Sequence, residues 1–280
     1  MAKISKRVLD RHIEALELLK KDELHFYDIQ KVYDNYHEGA GKMNNLISAH
    51  FTPYSIAHSI AHNVRRYNFV DLCAGVGILS YALLRMDQMS GLDEHKTFGV
   101  CVENCTEYYQ VGKKLLPQYH WINGDVFDDR VIDEIKEVMC GRDFSIVSNP
   151  PYGNQVKSSN EKLLYQKGYF EYRAMELGAL LGASDGTFLI PQNSAPFRIT
   201  GTSGRVYDDS YLTAEYKKFN SLTGLEISAN NGFTTAINED QKGWKDVSVV
   251  TEIAIVDYEE SEYDDKILAA ESGKQTSLFV

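Results

Sequence analysis

Asn149-Pro150-Pro151-Tyr152 is the part of this sequence best built for chemistry. It follows the apolar run Phe144-Ser145-Ile146-Val147-Ser148, which reads as a buried strand delivering the four residues to its carboxyl end. Two prolines lack a backbone N–H and have fixed φ, so the turn is stiff and its carbonyls face outward. The Asn149 amide oxygen and the Pro150 carbonyl then form a pair of hydrogen-bond acceptors, with the Tyr152 ring as a flat apolar wall beside them. Such a pair suits a planar molecule carrying an NH2 group. The plainer reading is a proline-stiffened turn with an incidental aromatic, and the residues upstream weigh against it.

Asp71-Leu72-Cys73-Ala74-Gly75-Val76-Gly77 stands where a first strand gives way to a helix. Small residues there let the backbone approach a ligand at a helix N-terminus. Ser80 takes the place of the third glycine of a dinucleotide fingerprint, so on this loop alone a nicotinamide enzyme stays open. Glu103 ends a second strand, where a carboxylate can accept hydrogen bonds from both ribose hydroxyls of a nucleoside cofactor. Asp125, in Gly124-Asp125-Val126, follows a third strand within reach of an exocyclic amine of adenine. Singly, each acid is more simply a helix cap or a surface charge. Together, acids after strands one, two and three, followed by Asn-Pro-Pro-Tyr after strand four, form an ordered set that chance does not readily produce.

The elements that must position these residues alternate. Strands are expected at Phe69–Cys73, Phe98–Val102, His120–Ile122, Phe144–Ser148 and Thr187–Ile190, separated by helical patterns at Ile78–Met89, Thr106–Leu116, Val131–Met139 and Lys162–Leu181. Short apolar strands alternating with helices imply an α/β fold with a parallel sheet covered on both faces. Two longer strands, Leu222–Ala229 and Val247–Val256, are expected to pair antiparallel at the sheet edge. Residues 4–37 read as two helices, and another follows His50-Phe51-Thr52-Pro53. The division expected is an N-terminal helical segment over 1–47, a catalytic domain over 48–256 with a small target-recognition insertion at 191–245, and an acidic flexible tail over 257–280.

A formal net charge of −11 argues against a stand-alone nucleic-acid binder, because phosphate neutralisation supplies most of such a protein's affinity. No apolar stretch reaches the roughly 20 residues of a membrane span. Met1 to Asp10 carries charge without an apolar signal core, so a cytoplasmic protein is expected. Cys73, Cys101, Cys105 and Cys140 lack the second close pair of a zinc site and read as buried free thiols. His58 and His62 lie one helical turn apart without the Glu of a zinc-hydrolase helix, so no metal is expected.

As a set, these residues resemble the class I S-adenosylmethionine-dependent methyltransferases, and within them the amino-methyltransferases acting on adenine N6 in DNA. The resemblance covers about residues 48–190, with Asn-Pro-Pro-Tyr and the glycine loop as its most specific parts. It implies a Rossmann-like sheet of seven strands, mostly parallel with one antiparallel strand, and S-adenosylmethionine as cofactor. Phe51-Thr52-Pro53 matches the family segment that helps hold the methionine moiety. By the same resemblance Thr52, Asp71, Cys73, Ala74, Gly75 and Gly77 would contact methionine, Glu103 would hold the ribose, and Asp125 with the Val126 amide would read the adenine ring. Asn149 and Pro150, with Pro151 and Tyr152 completing the motif, would act on a flipped-out base of a DNA substrate.

Release-factor glutamine methyltransferases and some RNA methyltransferases also use Asn-Pro-Pro-Tyr, and a degenerate fold kept as a scaffold is a third reading. Lys157, Lys162, Lys167, Arg173, Arg198, Arg205, Lys217 and Lys218 are candidate phosphate contacts, equally read as scattered surface charge. The short insertion leads us to expect an undemanding recognition sequence or an additional specificity subunit. In the tail, Gln275-x-x-Leu278-Phe279 resembles the peptide with which bacterial proteins grip the DNA sliding clamp. Such a contact would raise local DNA concentration without a basic surface.

Overall fold

The computed structural model describes residues 5–37, 40, 51–90, 97–202, 206–229, 244 and 249–277. Two helices, α1 (Lys6–Leu18) and α2 (Phe26–Asn35), pack on one another as the apolar spacing predicts. Both start on local caps: the Ser5 hydroxyl accepts from the Val8 N–H, and Asp28 accepts from the His25 N–H. α3 (Tyr54–Ala61) follows Pro53, whose missing N–H costs nothing at a helix start. It buries Ile56, Ala57 and Ile60 and packs against α4 (Ile78–Ser90).

Seven strands form one sheet in the order β3-β2-β1-β4-β5-β9-β8. They are β1 (Asn68–Leu72), β2 (Phe98–Glu103), β3 (His120–Asn123), β4 (Phe144–Ser148), β5 (Asp185–Pro191), β8 (Ser228–Ala229) and β9 (Thr251–Asp257). β1 to β5 pair in parallel, and β9 runs antiparallel to both β5 and β8. This is the Rossmann-like sheet expected, with one antiparallel strand among the described residues. Strand residues alternate between two cores: Val70, Val100 and Ile146 face one, Phe69, Cys101 and Val147 the other. α6 (Asp129–Met139) and α7 (Phe170–Leu181) cover the first face. α1 to α4 and α5 (Thr106–Leu115) cover the second. Strand order reverses between β1 and β4, which opens a crevice at their carboxyl ends.

Four expectations need correction. The helix after the motif begins at Phe170, eight residues later than its apolar pattern suggested, because residues 153–169 are held as a loop. The buried Arg173 guanidinium donates to the carbonyls of Val156 (2.6 Å) and Ser158, and Gly168 at φ +127° lies far from helical geometry. Leu222 belongs to α8 (Ala214–Thr223), which stops at Gly224 in the left-handed region, so the described part of β8 is short. The acidic tail is helical as α9 (Tyr263–Ser277), not a linker: Tyr263 is buried and donates to Glu176 at 3.0 Å, and Asp264 and Asp265 sit favourably in the first turn. Cys140 is exposed and Cys73 half-buried; Cys101 and Cys105 are the buried thiols.

Gln275 lies in the backbone of α9, while Leu278 and Phe279 fall outside the described residues, as do Arg205 and residues 230–243 and 245 of the expected insertion. The described part of that insertion carries a hairpin of β6 (Phe197–Arg198) and β7 (Val206–Tyr207), then α8. No helix among the described residues is long and apolar enough to cross a membrane.

Candidate active site

The turn leaving β1 packs three left-handed residues into five positions: Cys73 (φ +62°), Gly75 (+58°) and Gly77 (+87°). For Cys73 this conformation is strained, at a cost of about 1–2 kcal/mol. The turn is tied by Ala74 N–H to the Val102 carbonyl (2.9 Å) and Gly77 N–H to the Ala74 carbonyl (2.8 Å). A Cβ on Gly77 would stand 3.0 Å from Leu116 and 3.1 Å from Trp121, so this glycine serves close packing against α5 and β3. A Cβ on Gly75 would stand 3.3 Å from the Phe51 ring.

Glu103, at the end of β2, joins this loop to the next. One carboxylate oxygen accepts from the Gly75 N–H at 2.8 Å and the other from the Cys105 N–H at 2.7 Å. Burial pushes its pKa up, while those amides pull it down. After β3, Asp125 accepts from the Phe127 N–H (3.0 Å) and the Ser158 hydroxyl (2.5 Å), which ties it to the loop beyond the proline motif.

β4 ends at Ser148, whose hydroxyl donates to the Leu72 carbonyl and clamps β4 beside β1. Asn149 comes next. Its amide nitrogen donates to the Thr52 hydroxyl at 2.9 Å, and its amide oxygen accepts from the Tyr152 hydroxyl at 2.6 Å. Burial, then the charge of Glu171, holds the Tyr152 phenol well above its ordinary pKa, so it stays a donor. Glu171 is fully buried. It accepts from the Gly153 N–H and from the Ser194 hydroxyl, each at 2.7 Å.

One cavity of about 300 Å3 brings most of the expected residues together. Phe51, Thr52, Cys73, Ala74, Gly75, Glu103, Asp125, Val126, Asn149, Pro150, Pro151 and Tyr152 all line it. Pro53, Asp71 and Gly77 do not. Pro53 starts α3, and Asp71 lies fully buried beneath the loop, where the Ser80 hydroxyl donates to it at 2.6 Å. Burial lifts the Asp71 pKa to about 7 against the pull of Ser80, and its second oxygen has no hydrogen-bond partner. Asp71 and Gly77, expected to touch a ligand, stand behind the loop and not in the cavity wall. Ser80, in the third-glycine position, serves Asp71.

Sequence reasoning missed Asn104, Tyr108, Gly124 and Phe170 in the cavity wall. Asn104 and Gly124 adjoin the two acids and could have been found that way; Tyr108 and Phe170 carry no such signal. Among the candidate phosphate contacts, Arg173 is buried and bound to backbone carbonyls, so it meets no phosphate. Lys162 pairs with Asp129 at 2.8 Å, and Arg198 lies over the Tyr211 ring while donating to nearby carbonyls. Lys157, Lys167, Lys217 and Lys218 are exposed. His58 and His62 meet edge to face at 4.5 Å, and the described residues hold no cluster of metal-ligating groups.

No family model matches the chain, and no curated protein does. Solved structures align with it at low identity. One is assigned as a class I S-adenosylmethionine-dependent methyltransferase of Listeria monocytogenes: 13% identical, covering 89% of this chain and 80% of that one, TM-score 0.49. A chain of a type I restriction–modification system is 15% identical over 84% of this chain and 49% of its own, TM-score 0.46. The N-terminal domain of EvdMO1, with S-adenosylhomocysteine bound, is 12% identical over 91% and 97%, TM-score 0.41. At these values the likenesses carry no argument about ligand or reaction, which rests on the cavity itself.

The chemistry of the cavity wall is distinctive. It holds two carboxylates, two side-chain amides and several aromatic rings, and among its lining residues there is no Lys, Arg or His. A pyrophosphate would meet acids and no cation. A nucleoside that bears hydroxyls, an amine and positive charge would meet acceptors throughout.

Proposed function

We propose that this cavity binds S-adenosylmethionine and that the chain transfers its methyl group to the exocyclic N6 amine of adenine in DNA. The observation that carries the reading is that Asn149 and Glu103 line one cavity, with the amide nitrogen of Asn149 engaged by Thr52. The residues fit the cofactor. Glu103 offers carboxylate oxygens for a ribose diol, Asp125 and the Val126 amide offer an acceptor and a donor for adenine, and Gly75 and Phe51, close together in the cavity wall, would border the methionine portion. When bound, S-adenosylmethionine supplies an electrophilic methyl on a positively charged sulfur.

The amine to be methylated is a weak nucleophile, because its lone pair is delocalised into the ring. The Asn149 oxygen and the Pro150 carbonyl would each accept a hydrogen bond from one of its N–H groups and draw the nitrogen toward tetrahedral geometry. As the N–C bond forms the S–C bond breaks, S-adenosylhomocysteine leaves, and one N–H proton passes to solvent. The incoming amine takes over the place of the Tyr152 hydroxyl on Asn149, and the freed Tyr152 ring stacks on the base. The same two oxygens stabilise the positive charge growing on nitrogen, an electrostatic effect preorganised by the stiff proline turn. Holding both partners in line supplies much of the remaining acceleration. A base stacked inside a duplex cannot bring its amine between the Asn149 and Pro150 oxygens, so it would be flipped out.

Phe51-Thr52-Pro53 ahead of the glycine loop supports DNA over a protein amide, while the net charge of −11 favours a protein; the exposed Lys157 and Lys167 after the motif would be available for phosphate contacts. Transfer of labelled methyl to DNA, RNA and a release factor, side by side, tests the proposal. N6-methyladenine in DNA alone is expected. Label in RNA or in protein would move the substrate, and label in none of the three would leave a scaffold.

A further inference from the structure

Thr52 faces two ways, and only one of them has a place in the cofactor reading. We propose that Thr52 is a positioning residue for Asn149, holding its amide so that the oxygen is the end presented to the acceptor amine. The proposal rests on the reading of Asn149 as an amine acceptor.

The geometry is specific. Thr52 is 5% exposed, and its hydroxyl accepts from the Asn149 amide nitrogen at 2.9 Å. The hydroxyl sits on a stiff support, since Pro53 fixes the next φ and its carbonyl accepts from the Ala57 N–H at 2.9 Å in the first turn of α3. Asn149 lies 97 residues along the chain, so neither partner's place is set by local sequence.

An asparagine amide is nearly symmetric in shape. Rotated by half a turn it would put an NH2 toward the incoming amine, donor against donor, and no methyl transfer could follow. Tyr152 holds the oxygen end in the structure, but that hydrogen bond must be given up when the substrate amine arrives. The bond to Thr52, on the nitrogen end, does not have to be given up. Because Phe51, the preceding residue, stands against Gly75 in the same cavity wall, one dipeptide touches both the glycine loop and the acceptor amide. Cofactor seating and acceptor alignment thereby share a support.

Thr52→Val removes the hydroxyl at nearly constant shape, and Thr52→Ser restores it. The expected result is about a tenfold lower kcat for Thr52→Val with the cofactor KM within about twofold, and near-native kcat for Thr52→Ser. A second readout needs neither cofactor nor turnover: nitrogen-15 NMR of the Asn149 side-chain amide. Its protons should exchange with water about tenfold faster in Thr52→Val and at the native rate in Thr52→Ser. Unchanged amide exchange in Thr52→Val overturns the proposal, as does a raised cofactor KM with kcat preserved, which would make Thr52 a cofactor contact only. If the exchange changes as expected but no amine is ever methylated, the tie stands and the functional reading fails.

Discussion

Around the cavity, the glycine-loop wall and the loops beyond Asn149 are held by different means. At the ends of β1 and β2 two backbone bonds, Ala74 on Val102 and Gly77 on Ala74, are joined by a single buried carboxylate, Glu103, which takes the Gly75 and Cys105 amides. From Gly153 to Thr202 the chain hangs on buried charged side chains. Glu171 takes Gly153 and Ser194, and Glu176 takes the amides of Leu164 (2.5 Å) and Tyr165 (2.9 Å). Glu252 takes Ile199 (3.0 Å) and Gln192 (2.8 Å), and Arg173 takes the Val156 and Ser158 carbonyls. A wall held by short backbone bonds and one carboxylate would suit a ligand that never varies. Loops pinned at a few side chains can be redrawn by substitution while the sheet stays intact, which suits the side that meets a variable substrate.

The widest separation between the two halves should come from Asn149→Ala. Removing the acceptor amide should lower kcat by about a thousandfold while leaving cofactor affinity within about twofold, measured by turnover and calorimetry. Loss of cofactor binding instead would merge the halves. Glu103→Ala attacks the other side and should weaken S-adenosylmethionine binding by about thirtyfold, the worth of charged hydrogen bonds to a ribose. Glu171→Met, which keeps bulk and removes the acceptor, strands the Gly153 N–H and the Ser194 hydroxyl. It should cost about 2 kcal/mol of stability in urea melts with little change in cofactor affinity.

Asp71 gives a pH test. Its pKa is raised to about 7 in the folded chain, above an ordinary carboxylate, so the folded state binds the proton more tightly than the unfolded state. Stability from this group is fully present below pH 4 and is lost as pH rises through about 7. Asp71→Asn should therefore gain stability relative to the parent at pH 8 and less so at pH 5. The smallest effect is expected from the N-terminal helices. The Tyr33 hydroxyl donates to the Val76 and Gly77 carbonyls at 3.2 and 3.3 Å, so Tyr33→Phe should weaken cofactor binding by about threefold.

The same division explains what could be read from sequence. β1 to β5, the glycine turn, Glu103, Asp125 and Asn149 were legible because strand periodicity and short motifs are local. That Asp71 and Gly77 stand behind the loop is not legible, because a motif gives order along the chain but neither the direction of the Asp71 side chain nor what packs against the Gly77 backbone. Arg173 looked like a phosphate contact because a cation in a polar stretch carries no sign of the carbonyls 15 and 17 residues away that bury it. The late start of α7 has the same cause, since its apolar spacing runs on through residues that Arg173 and Glu176 hold as a loop. Tyr263 was hidden in an acidic run that reads as solvated until Glu176, 87 residues earlier, provides its partner.

In the proposed reading one cavity would serve both a nucleoside and an amine acceptor. The most direct measurement is a crystal structure of the chain grown with S-adenosylhomocysteine. Ribose hydroxyls are expected on the Glu103 carboxylate, adenine beside Asp125 and Val126, and sulfur facing the Asn149 oxygen. Ligand density outside that cavity, or sulfur separated from Asn149 by protein, would contradict it.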